Sequence, residues 1–130
     1  MLIISAGVLI FRGMNAVEFR EMDLSEPYWF GEMWHDVGMD TEIDVDLSQF
    51  AGQVIDSRRM ARNIANEILA QWQNRGRLEG FVLQGIDHDP FQNIWIFSYW
   101  DRDPFVMGFS FHVAVDGNTS EVIRVWIMGG

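Results

Sequence analysis

Between Ser57 and Arg75 the chain reads SRRMARNIANEILAQWQNR, and this stretch constrains the fold more than any other. Met60, Ala61, Ile64, Ala65, Ile68, Leu69 and Trp72 recur at three- and four-residue intervals, which stacks them along one face of an α-helix. Arg58, Arg59, Arg62, Asn63, Asn66, Glu67 and Gln71 fill the other positions. Asp56 or Ser57 can cap the start, and Gly76 stands where a left-handed residue closes a helix. A helix with so broad an apolar stripe must lie against another layer.

The sequence after Gly76 supplies that layer. Four runs rich in β-branched and aromatic residues follow: 78–86 (LEGFVLQGI), 93–100 (NIWIFSYW), 105–115 (FVMGFSFHVAV) and 122–128 (VIRVWIM). The gaps between them are short and full of Asp, Gly, Asn and Pro, as antiparallel neighbours require. In the third run Phe109, Phe111, Val113 and Val115 share one face, and Ser110, His112, Ala114 and Asp116 share the other. The second run is apolar on both faces, as befits a central strand. The expectation is an α+β fold: one long helix packed on a curved antiparallel sheet of about four strands, in a single domain spanning 1–130. Upstream, GMNAVEFREM is expected as a short helix and EIDVDLSQF as an edge strand. The opening MLIISAGVLIF is too short to span a bilayer and has no basic residue before it, so a core strand or buried helix is expected there, with the remnant of a processed membrane or signal segment as the alternative.

Charge divides the chain. Through Ser57, eleven acids stand against Arg12 and Arg20, a balance of −9. From Arg58 onward, eight acids stand against seven Arg, a balance of −1. Phosphates would be repelled by the first half, which argues against direct nucleic-acid binding and for a basic protein partner. The chain has no Cys, which removes disulfides and thiolate metal sites and suits a reducing, cytoplasmic setting. All nine of its basic residues are Arg.

No nucleophile elbow, zinc-protease helix, phosphate loop or dinucleotide fingerprint is present, and no cofactor is implied. His88, in DHDP (87–90), is expected in a turn rather than on a metal. An acid–base enzyme would have to draw on Asp101, Asp103 and Tyr99. The expected role is therefore non-catalytic. The strongest binding signal is DLSEPYWFGEMWHD (23–36), where Glu26, Glu32 and Asp36 surround Tyr28, Trp29 and Trp34 without a single cation. These rings fall on no clean period, and Pro27 and Gly31 flank the aromatic triplet. The acids continue as Asp40, Glu42, Asp44 and Asp46, which an extended chain would place on one face, opposite Ile43, Val45 and Leu47. Two readings follow: a lid whose rings cover one end of the sheet while its carboxylates point to water, or a recognition surface in which aromatic anchors ringed by acids meet a cationic protein.

The pieces NIANEIL (63–69), DPF (89–91), IWIF (94–97), MGFSFHVAVDGNTSEVIRVW (107–126) and the closing GG occur in an order that resembles small bacterial immunity proteins of the cystatin/NTF2-like kind. That resemblance implies neutralisation of a cognate toxin by tight binding, without catalysis. A basic nuclease is one such toxin. Two other readings remain open at this stage. One is a small-molecule binder or enzyme of NTF2-like type, with His112 or Tyr99 facing a pocket between helix and sheet. The other is a DNA mimic whose carboxylates replace phosphates.

Overall fold

The structure is a computed structural model that describes residues 17–21, 38–41, 43–76, 80–102 and 108–129. Its elements, in chain order, are β1 (Glu18–Glu21), β2 (Met39–Asp40), a 3-10 turn (Ser48–Phe50), α1 (Arg58–Asn74), β3 (Phe81–Asp89), β4 (Ile94–Asp101), β5 (Ser110–Asp116) and β6 (Val122–Met128). The strands form one six-stranded sheet in the order β1-β3-β4-β5-β6-β2. β3 to β6 are the expected antiparallel meander. Two short strands extend it, and they correct the expectation of about four: β1 pairs parallel with β3, and β2 pairs antiparallel with β6. The sheet is therefore mixed. Residues 18–21, expected within a short helix, are extended because Arg20 and Phe19 find partners on β3 that lie far away in sequence.

The helix forms where its periodicity places it. Ser57, in extended geometry, accepts a hydrogen bond from the Met60 N–H at 3.1 Å, and Gly76 adopts φ +69 beyond the last turn. Ala61, Ile64, Ala65, Ile68 and Trp72 are fully buried. Trp72 meets the edge of Tyr99 with ring centroids 5.0 Å apart and tilts against Phe111 at 5.9 Å. Tyr99 Oη donates to the Ala65 carbonyl at 2.7 Å, pinning helix to sheet at the centre of the core. Burying side chains of this size stabilises the fold by roughly 1.5–3 kcal/mol each.

Strand parity shifts at two irregularities. In β3 the pairing skips Gln84, so Leu83 and Ile86 both face the helix, while Gly85 and Asp87 lie on the other face. In β6 it skips Ile123, so Val122 and Val125 pack on the helix side, and Arg124 and Trp126 on the other. β3 also runs three residues beyond the expected run, through Asp87, His88 and Asp89. Buried Asp87 tolerates that position because Arg20 on β1 donates to both its oxygens, at 2.9 and 3.3 Å. The turn begins only afterwards, where Asp89 Oδ1 accepts from the N–H groups of Phe91 and Gln92.

Part of the face of the sheet away from α1 is buried as well. Ile94, Ile96, Ala114 and Trp126 form a second cluster there, with Met128 beside it. Among the described residues, no helix is long and apolar enough to cross a membrane.

Candidate functional site: an acidic edge and a buried serine–histidine–serine row

Of the proposed contact residues, Glu26, Tyr28, Trp29, Glu32, Trp34, Asp36 and Glu42 lie outside the described residues. Asp40, Asp44 and Asp46 lie inside, and all three are exposed. Between them the alternation holds: Ile43 and Val45 pack against the main core and Leu47 is buried in it. Only Met39 and Asp40 form a strand, however, so the expected edge strand over 42–50 is corrected. The chain leaves the sheet after Thr41, whose N–H still donates to the Val125 carbonyl at 3.1 Å. It then runs along α1, where a side chain takes the place of a neighbouring strand. Gln71 accepts from the Asp46 N–H at 2.9 Å and donates to the Asp46 carbonyl at 2.6 Å. Arg75 donates to the Asp44 carbonyl at 3.1 Å. Residues 48–50 close into a 3-10 turn, with the Ser48 N–H donating to Asp46 Oδ1 at 2.9 Å.

The row is not a stripe of uncompensated charge. Arg124 makes an ion pair with Asp40 and lies over the Trp126 ring, 4.8 Å from its centroid. Asp46 is held below the usual carboxylate range by the hydrogen bonds from Ser48 and, to a smaller degree, by the Arg75 guanidinium. Beside the row lies a cleft of about 340 Å³ whose walls include Val45, Leu47, Ala51 and Val122, with Ser48 and exposed Glu121 at its polar side. Met39, at the end of the row, is 70% exposed. The edge thus combines an apolar hollow, a bare thioether and carboxylates.

A second constellation sits on the far face of the sheet, and only one of its members stands out in the sequence. His112 is 3% exposed. Its Nδ1 lies 2.9 Å from Ser98 Oγ and its Nε2 lies 2.7 Å from Ser110 Oγ. Both serines are buried, and the imidazole stacks on Trp126 at 5.3 Å. The row follows from register: Ser98 pairs with His112 across β4–β5, and Ser110 is two residues from His112 on the same face. Burial, with the nearby Arg124 charge, lowers the His112 pKa to about 4. The three side chains line a cavity of about 460 Å³, together with Trp100, Met128 and Gln84. Ser98, the lone polar residue within IWIFSYW, and Ser110, two before His112, were the available sequence signals.

The remaining chemistry resolves into structure. Asp87 is committed to Arg20. His88 stacks on Trp95 at 4.0 Å and contacts Asn93 Oδ1 through Nε2 at 2.9 Å, while Asp89 caps a turn. These three point to different partners, and no group of metal-ligating side chains occurs among the described residues. Tyr99 is fully buried, its phenol is hydrogen-bonded to helix backbone, and burial raises its pKa well above the ordinary value. It faces no pocket. His112 also lies on the opposite side of the sheet from α1, so the space between helix and sheet brings neither residue to a cavity. A smaller cleft of about 260 Å³ opens at the start of α1, bounded by Phe19, Arg20, Arg58, His88 and Trp95.

Comparison with known proteins finds no family, no curated protein and no solved structure that the chain matches.

Proposed function

We propose that this chain is a non-catalytic, acidic protein-binding inhibitor of the immunity type, on a cystatin/NTF2-like fold, that neutralises a basic toxin domain such as a nuclease. The observation that carries this reading is the edge at 39–47. Its carboxylates project from backbone anchored on the inner side by Ile43, Val45 and Leu47, next to an apolar cleft lined by Val45, Leu47 and Val122. A partner's Arg or Lys would lay its aliphatic stem in that cleft and bring its charge to Glu121 and Asp46. The segment of Tyr28, Trp29 and Trp34, with Glu26, Glu32 and Asp36, belongs to the same proposed surface, as does Glu42. The −9 balance through Ser57 favours a cationic partner at long range.

The test uses the protein encoded in the adjacent reading frame. The triple variant Asp44→Asn, Asp46→Asn, Glu121→Gln is expected to bind that protein at least about tenfold more weakly than the native chain. The Asp40→Asn change, which removes a carboxylate already paired with Arg124, is expected to weaken binding less. Affinity that is unchanged in a folded triple variant would overturn the assignment of this edge.

The alternative, a small-molecule binder of NTF2-like type, draws on the far-face cavity rather than on a pocket between helix and sheet.

A further inference from the structure

The connection between the two short edge strands bears on what lies over the far face of the sheet. β1 and β2 stand at opposite edges of the six strands, so residues 22–37 travel from one edge to the other. Five inter-strand spacings amount to about 24 Å. Sixteen residues reach about 50 Å when extended, so the crossing is within their length. Both ends of the connection are tied to the face opposite α1. At the end of β1, Arg20 pairs with Asp87 on that face. Just before β2, Gly38 has φ +72, and an added Cβ there would strike the Ile127 carbonyl and the Trp126 ring. Trp126 belongs to the far-face cluster. Between the two ends runs an unbroken cross-strand row, Asp87–Ile96–Ala114–Arg124, with Trp126 next on the same face of β6. Asp87, Ile96, Ala114 and Trp126 are each no more than 2% exposed. Arg124 lies over the Trp126 ring, but no described element packs on Ile96 or Ala114 from above. On the opposite side of the molecule, Arg59, Arg62, Asn63, Asn66 and Gln73 are exposed, so nothing crosses the outer face of α1. A largely apolar row buried this deeply requires a layer over it.

We propose that the far face of the sheet is a docking surface for the chain's own segment 22–37, whose rings Tyr28, Trp29, Phe30 and Trp34 cover Ile96, Ala114 and Trp126. Aromatic side chains supply the area that such a row needs. Glu26, Glu32 and Asp36 then turn to water, because a carboxylate set against apolar side chains loses its hydration without gaining a partner. These acids keep their place in the proposed acidic surface, while the rings serve the sheet.

The chain has no Cys, so a single nitroxide spin label can be placed on a Glu32→Cys variant of the full chain. Broadening of amide NMR signals then reports what lies near the label. The amides of Ile96 and Ala114 are expected to lose most of their intensity, and those of Arg62 and Asn66 on the outer face of α1 to keep theirs. Broadening on α1 instead would overturn the proposal. Broadening at neither place would overturn it too, and would leave residues 1–16 as the occupant of the face. In a second measurement, Trp29→Ala and Trp34→Ala should each raise the unfolding equilibrium constant at least about a hundredfold, as truncation of a buried ring does. Unchanged stability in both variants would overturn the proposal, since rings that wait for a partner leave the free chain as stable as before. If a ring variant does not fold, the spin label on the otherwise native chain still decides. Both measurements use the free chain, so failure here leaves the assignment of the acidic edge standing, and failure of that edge leaves this docking surface standing.

Discussion

His112 couples the far face of the sheet to pH, and the sign follows from its burial. The unfolded side chain takes up a proton near 6.5, whereas in the fold it does so only at about 4. Between these values the unfolded state holds more protons, so stability is flat above about pH 6.5 and falls as the pH drops toward 4. A depression of this size corresponds to a loss on the order of 3 kcal/mol. Urea unfolding at pH 7.5 and 4.5 should therefore show the native chain losing about 2–3 kcal/mol more than a His112→Gln variant, which has no ring to protonate. Parallel losses in the two proteins would show that the imidazole is not buried as described. The same residue shows where sequence pattern stops. Its face of β5 was legible from alternation, but not the burial of that face, because Ser110 and His112 read as polar until their mutual hydrogen bonds are known. Asp87 fails to announce itself for a similar reason. Its partner Arg20 is 67 residues away, so the local string DHDP reads as a turn.

At the level of elements, α1 and β6 were legible almost to the residue, because periodicity, a Ser cap and a terminal Gly all act locally. The edge strands were not. β1 and β2 hold four and two residues, too few for a period to emerge, and their pairing is set by tertiary contacts. The segment 43–47 lies between the two cases. Its acid–apolar alternation correctly separates outward from inward side chains, yet its hydrogen-bonding partner is a helix side chain rather than a strand. Gln71 supplies both of the bonds that a neighbouring strand would give Asp46. Gln71→Ala should therefore cost about 1–2 kcal/mol and speed hydrogen exchange at the Asp46 amide, with the core of α1 unaffected. Unchanged exchange at Asp46 would mean that the edge is held by the packing of Ile43, Val45 and Leu47 alone.

Across the whole molecule, the sheet is covered by a helix on one face and carries a second buried cluster on the other, and the acidic edge wraps from β2 onto α1. Arg124 and Arg75 temper that edge locally, so the attraction of a basic partner that we propose rests on the summed field of the acidic half more than on any single carboxylate. Such attraction acts on encounter and is weakened by salt, since the screening length shrinks from about 14 Å to about 6 Å between 50 and 300 mM ionic strength. The most direct measurement is the association rate with the protein of the adjacent reading frame over that salt range, for the native chain and for Asp40→Asn, Glu42→Gln, Asp44→Asn, Asp46→Asn combined. The native rate should fall about tenfold or more with added salt, and the neutralised chain should start slower and vary little. Equal rates with equal salt slopes in the two proteins would contradict recognition of a basic partner through this edge.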